Sequence, residues 1–273
     1  MWPTLISAGP IVIYSFGAMM FLGVFFGGFW WWRKGKEEGL EEEVLIDAWL
    51  IMGVAGLLGG RLGHILLNWN WFSGSWYKMI FLTKYPGLNY EFGWLAALIG
   101  LVWFSRKQGW KIWQILEMSV SSWLMVEIFG WLGAFLAGSS QGTQVAGWWA
   151  INGRWPVQLM WAVGLILLFL LVKKWEKEYR TFEWYKQENN EAELGFINAI
   201  YLMGLGILKL GLGFITEDSK FSQWFGIALI VSGGLILLIR SGKLKQLVKT
   251  KPVLKTVSLK PKLLRKKRGF DFK

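Results

Sequence analysis

The chain has no cysteine and a single histidine among its 273 residues. The absence of cysteine excludes disulfides, thiolate metal sites and a cysteine nucleophile. Charged residues are also scarce: they make up 18% of the chain, whereas a soluble domain usually carries about a quarter. Together with a hydrophobic content of 54%, this composition excludes a disordered chain and argues against an ordinary soluble enzyme.

What the chain does contain is a series of long apolar runs. A helix needs roughly 20 mostly apolar residues to cross a bilayer core about 30 Å thick. Seven segments reach or approach that length, and short polar stretches separate them. They are Pro10–Trp32, Val44–Leu67, Leu88–Phe104, Trp113–Gly138, Pro156–Val172, Leu194–Ile215 and Phe221–Ile239. The sequence therefore predicts an all-α integral membrane protein, with a bundle of seven transmembrane helices in residues 1–240.

The distribution of basic residues predicts the orientation of this bundle. The connections after the first, third and fifth runs hold three, three and five Lys or Arg residues, against two, one and one in the others. Cytoplasmic loops carry such an excess, so we expect the N-terminus outside and the C-terminus in the cytoplasm. The 21 tryptophans concentrate at the ends of the runs, where interfacial anchoring is the ordinary explanation.

A basic tail follows the last run. The formal net charge of the chain is +12, and thirteen of its thirty Lys and Arg residues lie from Arg240 to the C-terminus. We expect residues 241–273 to be disordered or associated with the membrane surface. Anionic lipid of the inner leaflet would attract them by about 1 kcal/mol per basic residue. Since the tail carries no recognisable motif for nucleic acid, no such partner is expected.

Polar residues within the apolar runs are the candidates for function, because an ionisable group is costly in lipid. On the predicted topology, six polar groups from four helices reach the outer leaflet. They are Arg61, His64, Glu91, Arg154, Gln158 and Lys209. Arginine offers a planar fork to phosphate oxygens, so we predict that Arg61, Arg154, Gln158 and Lys209 bind a lipid phosphate. The alternative for the cations is snorkelling to the interface.

Five segments carry a resemblance to one known family. They are Ile13–Gly17 (IYSFG), Gly59–His64 (GGRLGH), Gly87–Gly93 (GLNYEFG), Ile128–Phe135 (IFGWLGAF) and Arg154–Leu159 (RWPVQL). In this order they resemble the motifs of the prolipoprotein diacylglyceryl transferases, which are seven-span enzymes of the bacterial plasma membrane. The resemblance, with the span count and orientation, covers about 230 residues.

This resemblance implies an activity and two catalytic candidates. The family moves a diacylglyceryl group from phosphatidylglycerol to the thiol of a lipobox cysteine in a secreted precursor, without a cofactor or a metal. Such a reaction needs a group that takes the thiol proton and cations that stabilise the departing glycerol phosphate. By resemblance, His64 or Glu91 accepts the proton.

Several positions differ from the residues that the resemblance implies. Trp131 and Ala134 stand where the family carries Arg and Asn, Glu91 stands where it carries His, and Phe16 where it carries Tyr. A tryptophan cannot make a bidentate phosphate contact. Two functions therefore remain open: a divergent transferase, or a catalytically inactive homologue that binds lipid or a protein partner. A transporter is a third, weakened by the absence of an evident inverted repeat.

Overall fold

The computed structural model describes residues 2–8, 11–74, 76–81, 84–139, 142–179, 193–216 and 220–241. Its framework consists of helices of 18 to 26 residues. In chain order, the two strands and the helices are β1 (Thr4–Ala8), β2 (Ile11–Tyr14), α1 (Ser15–Glu37), α2 (Glu42–Leu67), α3 (Trp69–Phe72), α4 (Tyr77–Ile80), α5 (Tyr90–Lys107), α6 (Ile112–Ala137), α7 (Val157–Glu178), α8 (Phe196–Gly213) and α9 (Lys220–Arg240). The predicted basic tail lies outside the described residues, apart from Ser241.

A two-stranded hairpin precedes the first helix and was not predicted. Strands β1 and β2 pair antiparallel, with Ile6 opposite Ile13. The predicted first span was wrong at its start, because the helix begins at Ser15 rather than at Pro10. The residues before it include the β-branched run Ile11–Ile13, which favours an extended backbone. The backbone N–H of Ser15 donates to the Pro3 carbonyl (3.0 Å), which ties the hairpin to the start of α1.

Six of the described helices are long and apolar enough to cross a membrane. They are α1, α2, α6, α7, α8 and α9. Helix α5 coincides with the third predicted run and is 18 residues long, but it is not among these six. The structure thus confirms a mostly helical, multi-pass membrane protein, and the seventh span stays a prediction.

Glycines bring neighbouring helices together in antiparallel pairs. A Cβ added at Gly27 of α1 would lie 2.8 Å from the Ser122 carbonyl oxygen of α6, and one added at Gly59 of α2 would lie 2.1 Å from the Ala96 Cβ of α5. Close backbone approach of this kind is how helices associate in lipid, where hydrophobicity gives no driving force between them.

The antiparallel packing gives the bundle two distinct ends. We call them the Lys34 end, where α1 and α5 finish and α2 and α6 begin, and the Arg61 end, which is opposite. At the Lys34 end, the buried carboxylate of Glu117 accepts hydrogen bonds from the backbone N–H groups of Gly195 (2.6 Å) and Ile197 (3.1 Å). It also accepts one from the Tyr179 hydroxyl (3.1 Å). The first turn of α8 would otherwise leave these N–H groups unsatisfied, so Glu117 fixes α8 against α6.

Candidate functional site

Arg61 holds the connection between α2 and α5. It lies near the end of α2 and is 9% exposed. Its guanidinium donates to four backbone carbonyls of that connection, those of Lys78 (2.5 Å), Met79 (3.0 Å), Tyr85 (2.9 Å) and Gly87 (3.0 Å). A guanidinium has five N–H donors, so this clamp uses most of its capacity.

His64 lies one helical turn beyond Arg61 and is half-buried. Its ring meets Phe72 edge-on at 5.8 Å between centroids, and its Nδ1 is 3.5 Å from the Asn68 side-chain nitrogen. Gly87 packs against the opposite nitrogen of the ring. A Cβ at this position would lie 2.2 Å from His64 Nε2, and the backbone φ of +150° is one that side chains rarely adopt. The close approach of Gly87 therefore fixes the position of the imidazole.

Glu91 and Lys209 form a buried ion pair. The distance from Lys209 Nζ to Glu91 Oε1 is 2.9 Å, and their side chains are 9% or less exposed. Ser222 of α9 also hydrogen-bonds to Glu91. The Lys209 ammonium lies over the rings of Tyr90 (5.2 Å) and Phe225 (5.9 Å). The pair therefore joins the first turn of α5 to α8 and α9.

Arg154 and Gln158 form a second group at the same end. Arg154 is half-buried and donates to the Gly142 carbonyl at 3.2 Å. Gln158, in the first turn of α7, is buried and donates to the Ser139 carbonyl.

The six predicted residues thus share one end but divide into two groups. Arg61 and His64 adjoin Glu91 and Lys209 through the contact between α2 and α5, where the Asn89 backbone N–H donates to the Gly60 carbonyl at 2.8 Å. Within the described part of the chain, no hydrogen bond or ion pair joins this group to Arg154 and Gln158. The predicted site residues lie at one end of the bundle, but they do not form a single cluster.

A buried carboxylate that is not among the predicted site residues lies beside the ion pair. Glu127 of α6 accepts hydrogen bonds on one oxygen, Oε1, from the hydroxyls of Tyr90 (2.8 Å) and Tyr201 (2.9 Å). The Trp94 indole N–H donates in turn to the Tyr201 hydroxyl (3.0 Å). Lys209 acts electrostatically on the same carboxylate. One signal was visible in the sequence: Tyr201 lies inside an apolar run, away from the interface where tyrosine is usual.

Comparison with known proteins identifies the family. The family model for prolipoprotein diacylglyceryl transferase matches residues 3–239. The chain belongs to this family. The chain is 24% identical over 255 residues to phosphatidylglycerol–prolipoprotein diacylglyceryl transferase 2 of Clostridium perfringens, a match that covers 85% of this chain and 92% of that one.

Two other relatives match shorter stretches. The Bacillus mycoides transferase is 24% identical over 140 residues, 51% of this chain and 52% of the relative. The Thermoanaerobacter transferase is 26% identical over 182 residues, 63% and 67% of the two chains. Prolipoprotein diacylglyceryl transferases are multi-pass proteins of the bacterial plasma membrane, and the six apolar helices of this member agree with that location.

In the segment that resembles the family's fourth-span motif, Trp131 forms a stacked aromatic pair. Trp131 of α6 lies parallel to Trp161 of α7, with 5.0 Å between ring centroids and an interplanar angle of 1°. This is the position at which the motif resemblance implies an arginine. The stack supplies apolar packing between α6 and α7, and no charge.

Proposed function

We propose that this chain transfers a diacylglyceryl group from phosphatidylglycerol to the thiol of a lipobox cysteine in a secreted precursor. The observation that carries the proposal is the polar group at the Arg61 end, where a buried ion pair lies beside an arginine and an imidazole in a largely apolar bundle. Such groups are costly in lipid and therefore mark a functional site. The family match and the names of the relatives support the same reaction.

The reaction sets two chemical requirements. The cysteine sulfur forms a bond to a glycerol carbon, and the bond from that carbon to the phosphate oxygen breaks, with its electron pair leaving on the glycerol phosphate. The thiol proton goes to a base, and cations stabilise the departing phosphate. We assign the base to His64 or Glu91. Glu91 already pairs with Lys209, whereas the two ring nitrogens of His64 face Gly87 and Asn68.

The phosphate is assigned to Arg61, Arg154, Gln158 and Lys209. Arg154 has unused capacity among the described residues, where the Gly142 carbonyl is the one acceptor for a side chain with five N–H donors. Lys209 has three N–H donors and gives one to Glu91. Arg61 contributes its positive charge while it holds the segment from Lys78 to Gly87.

The proposed reaction requires the topology that the basic residues indicate. In it, α5 is the third of seven spans, the Arg61 end faces the outside, and the Lys34 end faces the cytoplasm. The excess of Lys and Arg in the connections at the Lys34 end supports this orientation. Residues 241–273 would then bind anionic lipid of the inner leaflet through their basic side chains.

A second candidate function is lipid binding without catalysis. Two observations favour it. The guanidinium of Arg61 is largely occupied by backbone carbonyls, and Trp131 stacks on Trp161 at the position where the motif resemblance implies an arginine. This candidate keeps the fold and the polar groups, and removes the chemical step.

Reconstitution separates the two functions. The full chain is incorporated into phosphatidylglycerol vesicles with a lipobox peptide, and the thioether product is measured by mass spectrometry. Turnover that disappears in Arg61→Ala and Arg154→Ala, and persists in the control Arg106→Ala, supports the proposal. Arg106 is suited to be the control because it is an exposed arginine at the Lys34 end of α5. Absence of turnover, while phosphatidylglycerol still binds, would establish the second function. Turnover in Arg154→Ala would refute the phosphate assignment.

A further inference from the structure

Two buried polar atoms with opposite hydrogen-bonding character lie on the same helix. Among the described residues, the indole N–H of Trp123 and the Oε2 atom of Glu127 are buried side-chain atoms of α6 that have no hydrogen-bond partner. The first is a donor only, and the second is an acceptor when the carboxylate is ionised. A buried polar atom that stays unpaired has lost its hydrogen bonds to water without replacement, so both atoms call for a partner.

The two atoms belong to one cluster. Trp123 and Glu127 are four residues apart, so their side chains leave the same face of α6. Trp94 connects them, since its ring contacts that of Trp123 at 5.4 Å between centroids. The Trp94 N–H donates to the Tyr201 hydroxyl, which donates to Glu127. Trp123 as a whole is half-buried, so the cluster can be reached from outside the bundle at this residue.

A group that completes both atoms must accept one hydrogen bond and donate another. A hydroxyl does both, whereas a phosphate ester oxygen only accepts and an ammonium only donates. We infer that Trp123 and Glu127 form a binding site for a hydroxyl of the phospholipid headgroup, the oxygen accepting from Trp123 Nε1 and the proton directed to Glu127 Oε2.

The neighbourhood of this site favours a glycerol headgroup on an anionic lipid. Tyr90 contacts both Glu127 and the Lys209 cation: its hydroxyl donates to Glu127, and its ring faces the Lys209 ammonium. A phosphate close to Lys209 would therefore hold its headgroup hydroxyls near the pair of unsatisfied atoms. The inference rests on the proposed lipid substrate, but on its binding and not on its turnover.

Lipid binding to the full-length protein in mild detergent tests the inference. The two probes are phosphatidylglycerol and phosphatidylpropanol, which has the same phosphodiester and three headgroup carbons but no hydroxyl. Their dissociation constants are measured by native mass spectrometry. Since hydrogen bonds to charged groups are the stronger ones, wild type should prefer phosphatidylglycerol about tenfold or more.

Two variants and one control test whether Trp123 and Glu127 cause the preference for phosphatidylglycerol. Trp123→Phe removes the N–H and keeps an aromatic ring, and Glu127→Gln replaces the acceptor atom by a donor; both should lose most of the preference while their affinity for phosphatidylpropanol is unchanged. Ser122→Ala removes another buried, unpartnered atom of α6, from a residue whose carbonyl packs on Gly27 of α1, and should keep the preference.

Four outcomes would overturn the inference. The first is a wild-type protein that binds both lipids equally, which would mean that water fills the site. The second and third are an unchanged preference in both variants and an equal loss in Ser122→Ala. In the fourth, the two variants weaken the binding of both lipids alike. Thermal unfolding of each variant shows whether it is folded. If Trp123→Phe does not fold, the lipid preference of Glu127→Gln alone tests the inference. Absence of turnover in reconstitution, with this preference intact, would sink the proposed transferase reaction and leave the inferred site standing.

Discussion

The buried pair of Glu91 and Lys209 offers the sharpest test of how the Arg61 end is held together. Lys209→Met removes the cation 2.9 Å from Glu91 and leaves a carboxylate whose side chain is at most 9% exposed. Removing one partner of a buried pair costs about 3–5 kcal/mol, because the other charge stays buried without compensation. We expect this loss in the free energy of unfolding.

The reverse substitution should cost less. In Glu91→Leu the ammonium of Lys209 remains over the rings of Tyr90 and Phe225, and cation–π contacts offset up to about 2 kcal/mol when desolvated. The double variant Glu91→Leu with Lys209→Met should cost less than Lys209→Met alone, because no unpaired charge is left.

Unfolding of the purified protein in mixed micelles, titrated with sodium dodecyl sulfate, measures these losses. The control is the ion pair of Arg33 and Glu37, whose side chains are 61% and 62% exposed; Glu37→Gln should change the unfolding free energy by less than about 1 kcal/mol. If the loss in the double variant equals the sum of the two single losses, the pair is not coupled and the reasoning is refuted.

Three further predictions follow from other contacts. Gly59→Val should separate α2 from α5, since even a Cβ would lie 2.1 Å from that of Ala96; an unfolding free energy equal to wild type would contradict this packing. Glu117→Gln should destabilise the protein by about 1–3 kcal/mol and increase amide exchange at the start of α8, because it weakens the hydrogen bonds to Gly195 and Ile197; unchanged exchange there would show that the carboxylate is not the cap. Arg61→Lys keeps the charge but has three donors instead of five, so proteolysis of the segment between α4 and α5 should become faster; cleavage at the wild-type rate would show that the four carbonyl contacts do not hold it.

Much of the fold could be predicted because it depends on local properties. Length and hydrophobicity identify a helix that can cross a bilayer, and each predicted run overlaps one of the long helices. The hairpin was missed for the same reason. Ile11–Tyr14 is as apolar as the start of α1, and hydrophobicity alone does not distinguish a strand from the first turn of a helix.

The candidate site was harder to predict, because its partners are distant in sequence. Glu127 was visible as a charge within an apolar run, but its partners Tyr90 and Tyr201 lie 37 and 74 residues away. The pairing of Glu91 with Lys209 likewise depends on how α5 meets α8. Residue type predicted that Arg61 binds a lipid phosphate, and the structure shows its guanidinium bound to backbone carbonyls.

The most direct measurement of the proposed activity follows the diacylglyceryl group itself. Phosphatidylglycerol deuterated in its diacylglyceryl moiety is incubated with the reconstituted chain and a lipobox peptide, and both products are analysed by mass spectrometry. We predict that the label appears on the cysteine sulfur, with an equal amount of unlabelled glycerol phosphate released. An unmodified peptide beside intact lipid, under conditions in which the Clostridium perfringens relative modifies the same peptide, would contradict the account.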